Sequence, residues 1–286
     1  MISDITLGQF FPGYSPIHKL DPRAKILLAV LYIVAVFMVD NPVSFLFLLV
    51  ITAIMVLISR IGVKVILKGI KPIIMILVIT SLINLFLTDG KGEPLVDFWI
   101  FTIYTEGIVR AVFMTVRVVM LIIGSSVLLT YTTSPISLTD GIESLLSPLK
   151  KIKIPVHTFA MMMSIALRFI PTLVEETEKI MNAQKSRGAD FSSGGLIKRA
   201  KALIPILVPL FVSSFKRAEE LATAMECRCY RGDKNRTKLV KLEMKPRDYV
   251  FLFFGAAVLT VVILAGILPY NLGLSGKLFD IAFYRI

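Results

Sequence analysis

Cysteine and histidine are nearly missing from this chain: of 286 residues, two are cysteine and two are histidine. Cys227 and Cys229 stand with one residue between them, which is too little for a disulfide framework. No histidine lies near enough in sequence to complete a metal site with them. His18 and His157 are the whole imidazole supply and leave a metal-hydrolase constellation little to draw on. Acidic residues are also in short supply, 20 Asp and Glu against 32 Lys and Arg, for a net charge of +12. That excess sits between apolar blocks and not on one soluble face, so it argues for retained membrane loops and against a nucleic-acid partner. The first apolar block begins near Ala24, is long and lacks a small-residue cleavage site, so a span is expected there and not a secretory signal.

What the chain has in quantity is apolar sequence. Hydrophobic residues make up 56%, and the mean hydropathy of +0.78 comes from long blocks. The expected class is an all-α integral membrane protein. A bilayer core of about 30 Å takes roughly 17–25 helical residues. Stretches 25–39 with its flanks, 42–59, 70–87 and 107–130 reach or approach that length, and 249–269 adds a fifth.

Lysines and arginines set the orientation. Lys19, Arg23 and Lys25 precede or open the first span, and Arg60, Lys64, Lys68 and Lys71 lie between the second and third. Asp40-Asn41-Pro42 carries none, and the stretch 88–106 only Lys91. The N-terminus is therefore expected inside, together with the region 131–248 and its Lys150, Lys151, Lys153, Lys198, Arg199, Lys201, Lys216 and Arg217. This divides the chain into a bundle of four spans at 1–133, a cytoplasmic region at 134–246, and a last span with an external tail at 247–286.

Two further runs, 154–174 and 202–215, compete for membrane. The second is short for a span and contains Pro205 and Pro209, and the first contains Arg168, a costly residue if it faced lipid. Both are read as helices that dip toward the bundle and run along or below the surface, bent by their prolines. Asp21 is placed to cap a helix with Pro22 at its first position. Residues 134–151, between Pro135 and Pro148, set Ile136, Leu138, Ile142, Leu145, Leu146 and Leu149 against Asp140, Glu143 and lysines, as an interfacial amphipathic helix does. Arg110 and Arg117, seven apart, share one face of the fourth span. Arg110 is expected to snorkel, and Arg117 to pair with a carboxylate or backbone carbonyls.

The cytoplasmic region holds two long one-sided helices, about 29 residues or on the order of 43 Å for the first and slightly more for the second. Each ends in an arginine motif: Ala183-Gln184-Lys185-Ser186-Arg187-Gly188, and Ala224-Met225-Glu226-Cys227-Arg228-Cys229-Tyr230-Arg231-Gly232. Gly188 reads as a left-handed stop after Arg187, whereas the second helix has no glycine before Gly232. An arginine beside the helix dipole is an ordinary C-terminal residue. Two such ends, each among small residues that leave the backbone accessible, point instead to planar forks offered to grooves on two similar partners.

Together with Ser15–Arg23 and Leu167-Arg168-Phe169-Ile170-Pro171, these motifs resemble the transmembrane component of energy-coupling factor transporters, the EcfT/CbiQ family, over essentially the whole chain. The resemblance implies about five transmembrane helices, an amphipathic helix and two long crossing cytoplasmic coupling helices. It implies a non-catalytic subunit in the plasma membrane of a prokaryote, holding two ATP-binding-cassette ATPases and a small membrane-embedded substrate-binding subunit for a vitamin or metal ion. ATP and Mg would be bound by the ATPases, with no cofactor on this chain. Ser186, Arg187, Gly188, Cys227, Arg228 and Cys229 are the implied ATPase contacts, supported by Gln184, Glu226, Tyr230, Arg231, Arg168 and Pro171. The family commonly has Ala-Arg-Gly at both ends, so the cysteines around Arg228 depart from the pattern and leave Arg231 as a rival. Glu226 is expected to fix the second end by an intrahelical or partner ion pair. Two other classes remain at this level: an intramembrane enzyme built on Glu175-Glu176 or Glu219-Glu220, and a stand-alone secondary carrier.

Overall fold

Asp21 does begin a helix. Its side chain accepts the backbone N–H of Arg23 at 2.9 Å, and Pro22 fills the first helical position of α1 (Pro22–Phe37). The computed structural model to which α1 belongs describes residues 10–39, 41–87, 96–98, 101–153, 155–189, 191, 195–232 and 242–267. The expected external tail beyond 269, residues 1–9 and Lys91 lie outside them. The described residues fall into two compact units, 10–141 with 242–267, and 142–232.

In the first unit α1 is followed by α2 (Pro42–Ser59) and α3 (Val63–Ile70), which runs through the 3-10 turn Lys71–Ile73 into α4 (Ile74–Leu87). A short antiparallel hairpin, β1 (Val96–Phe98) with β2 (Phe101–Ile103), precedes α5 (Thr105–Ser125), a π-helical turn Ser126–Tyr131 and α6 (Pro135–Leu145), whose residues from Ile142 on belong to the second unit. The last helix of this unit is α9 (Pro246–Ile267), which comes after the two long helices of the other unit. Apart from that hairpin, the ordered elements among the described residues are helical.

Helix α1 lies at the centre of this unit because its small residues repeat at helical spacing. Ala24, Ala29, Tyr32, Ala35 and Val36 are buried against neighbouring helices. The Tyr32 hydroxyl donates to the Met120 carbonyl at 2.9 Å and is bonded to Thr52 Oγ1 at 2.8 Å, tying α1 to α5 and α2. Gly124 makes that approach possible: a Cβ there would stand 2.2 Å from the Tyr32 ring.

Polar contacts lock both ends of the unit. At one, the buried Asp248 in the first turn of α9 accepts the N–H groups of Lys245 at 2.7 Å and of Asp21 at 2.9 Å, so one carboxylate holds the starts of α1 and α9 together. Lys25, 2% exposed, donates to the carbonyls of Thr132 at 2.8 Å and His18 at 3.2 Å and to Thr133 Oγ1 at 3.2 Å. Asp21 and Asp248 offset its charge. At the other end Arg117 donates to the Val39 carbonyl at 2.6 Å, as the backbone-carbonyl alternative required, and Asn41 donates to the Ala265 carbonyl.

Among the described residues four helices are long and apolar enough to cross a membrane: Val63–Phe86, Gly107–Tyr131, Val156–Ser186 and Pro246–Ala265, with Val43–Ser59 a shorter apolar helix. The protein is an all-α membrane protein. At 16 and 18 residues α1 and α2 rise about 24 and 27 Å, and reach across the core only with their flanking turns. Val156–Ser186 was read from sequence as a surface-running arm. It is the least apolar of the four: His157, Arg168 and Pro171 interrupt its first half, and Glu175, Glu176, Glu178 and Lys179 fill its second.

Candidate functional site

The second unit is built from two helices that pack on each other, α7 (Val156–Ser186) and α8 (Leu196–Cys227). Before them the expected single amphipathic helix 134–151 is broken. α6 ends at Leu145, and Ser147–Ile152 forms a 3-10 turn, because Pro148 cannot continue an α-helix and takes an early position in the tighter one. Glu143 was placed on the polar face of that helix. It is instead buried, with Oε1 2.8 Å from His157 Nδ1, so the end of α6 is tied to the first turn of α7.

The expectation that prolines bend the arms has a more specific outcome. Both α7, at 31 residues, and α8, at 32, run as single helices through Pro171, Pro205 and Pro209. Pro209 has no N–H for the Pro205 carbonyl, and Gln184 of α7 donates its side-chain amide to that oxygen at 3.5 Å. Further along, Glu176 of α7 receives two donors from α8. The Ser213 hydroxyl bonds Oε1, and the Arg217 guanidinium pairs with Oε2 at 2.8 Å. Ser213 and Arg217 are four apart and share a face, but nothing in sequence links them to a glutamate on the other helix; the clamp was not legible there. It also gives Glu176 a structural partner, which weakens the enzyme reading of Glu175-Glu176. Below the clamp the helices leave an apolar cleft lined by Ile165, Phe169, Leu173, Ala218, Leu221 and Met225.

The two arginine ends have one geometry. On α7, Gly188 N–H donates to the Lys185 carbonyl and Ala189 N–H to the Gln184 carbonyl, both at 3.0 Å, with Gly188 at φ 87°. On α8, Cys229 N–H donates to the Glu226 carbonyl at 2.8 Å and Tyr230 N–H to the Met225 carbonyl at 3.0 Å, with Cys229 at φ 57°. These are the paired bonds of a Schellman stop, and they make Arg187 and Arg228 equivalent terminal residues. The lack of a glycine before Gly232 does not delay the stop of α8: Cys229 takes the left-handed position itself. Arg231 lies beyond the helix, with no counterpart on α7.

Ser186, Arg187, Gly188, Cys227, Arg228, Cys229, Glu226 and Arg231 are all exposed. Glu226 makes no ion pair among the described residues, so of the two expected pairings the intrahelical one is not formed. Arg168 and Pro171 are exposed on α7, on the stretch that carries Met162 and Met163, 55% and 40% exposed. Along α8 the residues Ile204, Leu207, Val208, Phe211, Val212 and Phe215 recur at helical spacing and are 46% to 71% exposed, an apolar stripe that the described residues leave uncovered.

The CbiQ family, described as cobalt transport protein, matches residues 13–239. An energy-coupling factor transporter transmembrane protein, EcfT, of Clostridium kluyveri is 53% identical over 267 residues, which is 93% of this chain and 98% of that protein. The EcfT of Ruminiclostridium cellulolyticum is 52% identical over 92% of this chain and 98% of its own length. That of Bacillus subtilis is 45% identical over 94% and 98%.

Proposed function

The chain belongs to the CbiQ family of transmembrane transport proteins, and we propose that within it this protein is the coupling subunit of an energy-coupling factor importer. It sits in the plasma membrane of a prokaryote with its N-terminus in the cytoplasm, and is not itself a catalyst. Two cytoplasmic ATP-binding-cassette ATPases hydrolyse ATP with their own Mg, and a small membrane-embedded subunit binds the vitamin or metal ion.

The observation that carries this reading is the matched pair of helix ends. Arg187 and Arg228 occupy the same position in the same Schellman geometry, exposed among small residues, as two similar receptors require. Arg228, and not Arg231, is the docking residue of the second end, with Ser186, Gly188, Cys227 and Cys229 as its groove-filling neighbours and those of Arg187. The crossing arms convert closure of the ATPase pair into movement, and the Glu176 clamp keeps them moving as one body. The apolar stripe of α8 and the methionines of α7 support the contact with the substrate-binding subunit, because methionine adapts to a partner that rotates or is exchanged.

Arg187→Glu and Arg228→Glu are each expected to abolish ATP-driven uptake in reconstituted complexes while membrane insertion and helicity stay at wild-type levels. Full uptake by the double variant would end the proposal.

A further inference from the structure

Between the second and third spans lies a run of charge with no counterpart in its own sequence. Residues 41–88 contain Arg60, Lys64, Lys68 and Lys71 and not one Asp or Glu. Among the described residues none of these four side chains makes an ion pair or a hydrogen bond. Retention of the loop on one side of the membrane needs positive charge, but it does not need that charge aligned.

Here it is aligned. α3 anchors one face in the first unit through Ile66, 6% exposed, which packs with Val127 and Tyr131 beside Val65 and Ile70. At about 100° per residue, Lys64, Lys68 and Lys71 fall within roughly 60° of one another on a different face. Val63 and Leu67, 65% and 60% exposed, form the strip between the lysines and the anchored face. With one side fixed, the helix cannot turn to hide either the basic or the apolar strip. α3 and α4 together make the candidate span Val63–Phe86, and the lysines stand in its first turns, so these strips lie where a helix enters the bilayer. A soluble acidic protein or a free anion would use the lysines and leave Val63 and Leu67 in water. A phospholipid uses both, with its phosphate on the ammonium groups and the upper part of its acyl chain on the apolar pair.

We propose that α3, with Arg60 at the turn before it, is a binding site for an anionic phospholipid. The lysines are compact point charges that hold a phosphate without fixing its orientation, which suits a headgroup at a fluid surface. This site is separate from the arginine ends and does not depend on the transport role.

The test is native mass spectrometry of the full-length protein in mild detergent, after equilibration with phosphatidylglycerol or with phosphatidylcholine. Wild-type protein is expected to retain phosphatidylglycerol selectively. Each lysine near a charged surface changes lipid affinity roughly fivefold, so Lys64→Gln, Lys68→Gln and Lys71→Gln together should weaken retention about 100-fold. A Lys151→Gln, Lys153→Gln control should leave it unchanged. Lys68→Gln alone gives a smaller, measurable drop should the triple variant fold poorly. Equal retention by wild type and variants, equal retention of phosphatidylcholine, or displacement by millimolar inorganic phosphate would each overturn the assignment, the last by giving the site to a free anion.

Discussion

Cys229 does at the end of α8 what Gly188 does at the end of α7, at a higher conformational cost. A residue with a Cβ in the left-handed region loses about 1 kcal/mol relative to glycine. Cys229→Gly is therefore expected to stabilise the end of α8 by about that amount, and Gly188→Ala to destabilise the end of α7 similarly, since nothing near Gly188 obstructs a methyl group and only the backbone objects. Amide exchange at residues 225–230 and 184–189 reads both. His18 offers a second residue-scale test. Its Nε2 faces the Phe11 carbonyl at 3.0 Å and must donate, and in the neutral ring Nδ1 then accepts the Ser15 hydroxyl at 2.6 Å. Burial, helped by the charge of Lys25 and opposed by the Phe11 carbonyl, holds its pKa below the ordinary value. The unfolded chain then binds more protons, so the stabilisation is complete above about pH 6.5 and is lost as pH falls through the lowered pKa. Thermal unfolding between pH 7.5 and 5 should show this slope, and His18→Gln should flatten it.

At the scale of elements, Glu176 receives two polar contacts that tie α7 to α8. If the clamp sets how α7 and α8 sit against each other, Glu176→Gln and Ser213→Ala should raise amide exchange in both helices and disturb uptake less than the arginine variants do. A double-mutant cycle between Glu176 and Arg217 should show non-additivity. Additive effects would mean that the apolar cleft alone sets the packing. The elements also show where sequence reasoning worked and where it failed. α1 was legible because Asp21-Pro22 is a local start signal, and α7 and α8 because their polar and apolar residues keep helical period. The break at Ser147-Pro148 was underweighted, since the apolar spacing continues across it. The hairpin of β1 and β2 has no signal in the sequence, because three-residue strands carry too little pattern.

For the whole molecule, the coupling proposal requires Arg187 and Arg228 on one side of the membrane. Cysteine-free protein with a single cysteine introduced at 187 or at 228 should be labelled by an impermeant reagent from the same side in oriented vesicles. Labelling from opposite sides would require α8, the helix between the two positions, to cross the bilayer, and would remove the paired docking. The locked ends of the first unit bear on the same question. Asp248 and Lys25 at one end, and Arg117 and Asn41 at the other, let it act as a rigid body when force arrives.

Membrane class and the existence of two arginine-tipped helices were set by the sequence alone, because hydropathy, charge and helical period are properties read along one dimension. Which carboxylates are occupied, and that a cysteine stands in for a glycine so that Arg228 and not Arg231 matches Arg187, were decided only by the tertiary structure. Glu143, Glu176 and Asp248 look like any other surface acid until a partner distant in the chain is brought to them. A residue's φ angle is likewise set by the bonds that close a helix end and not by its name.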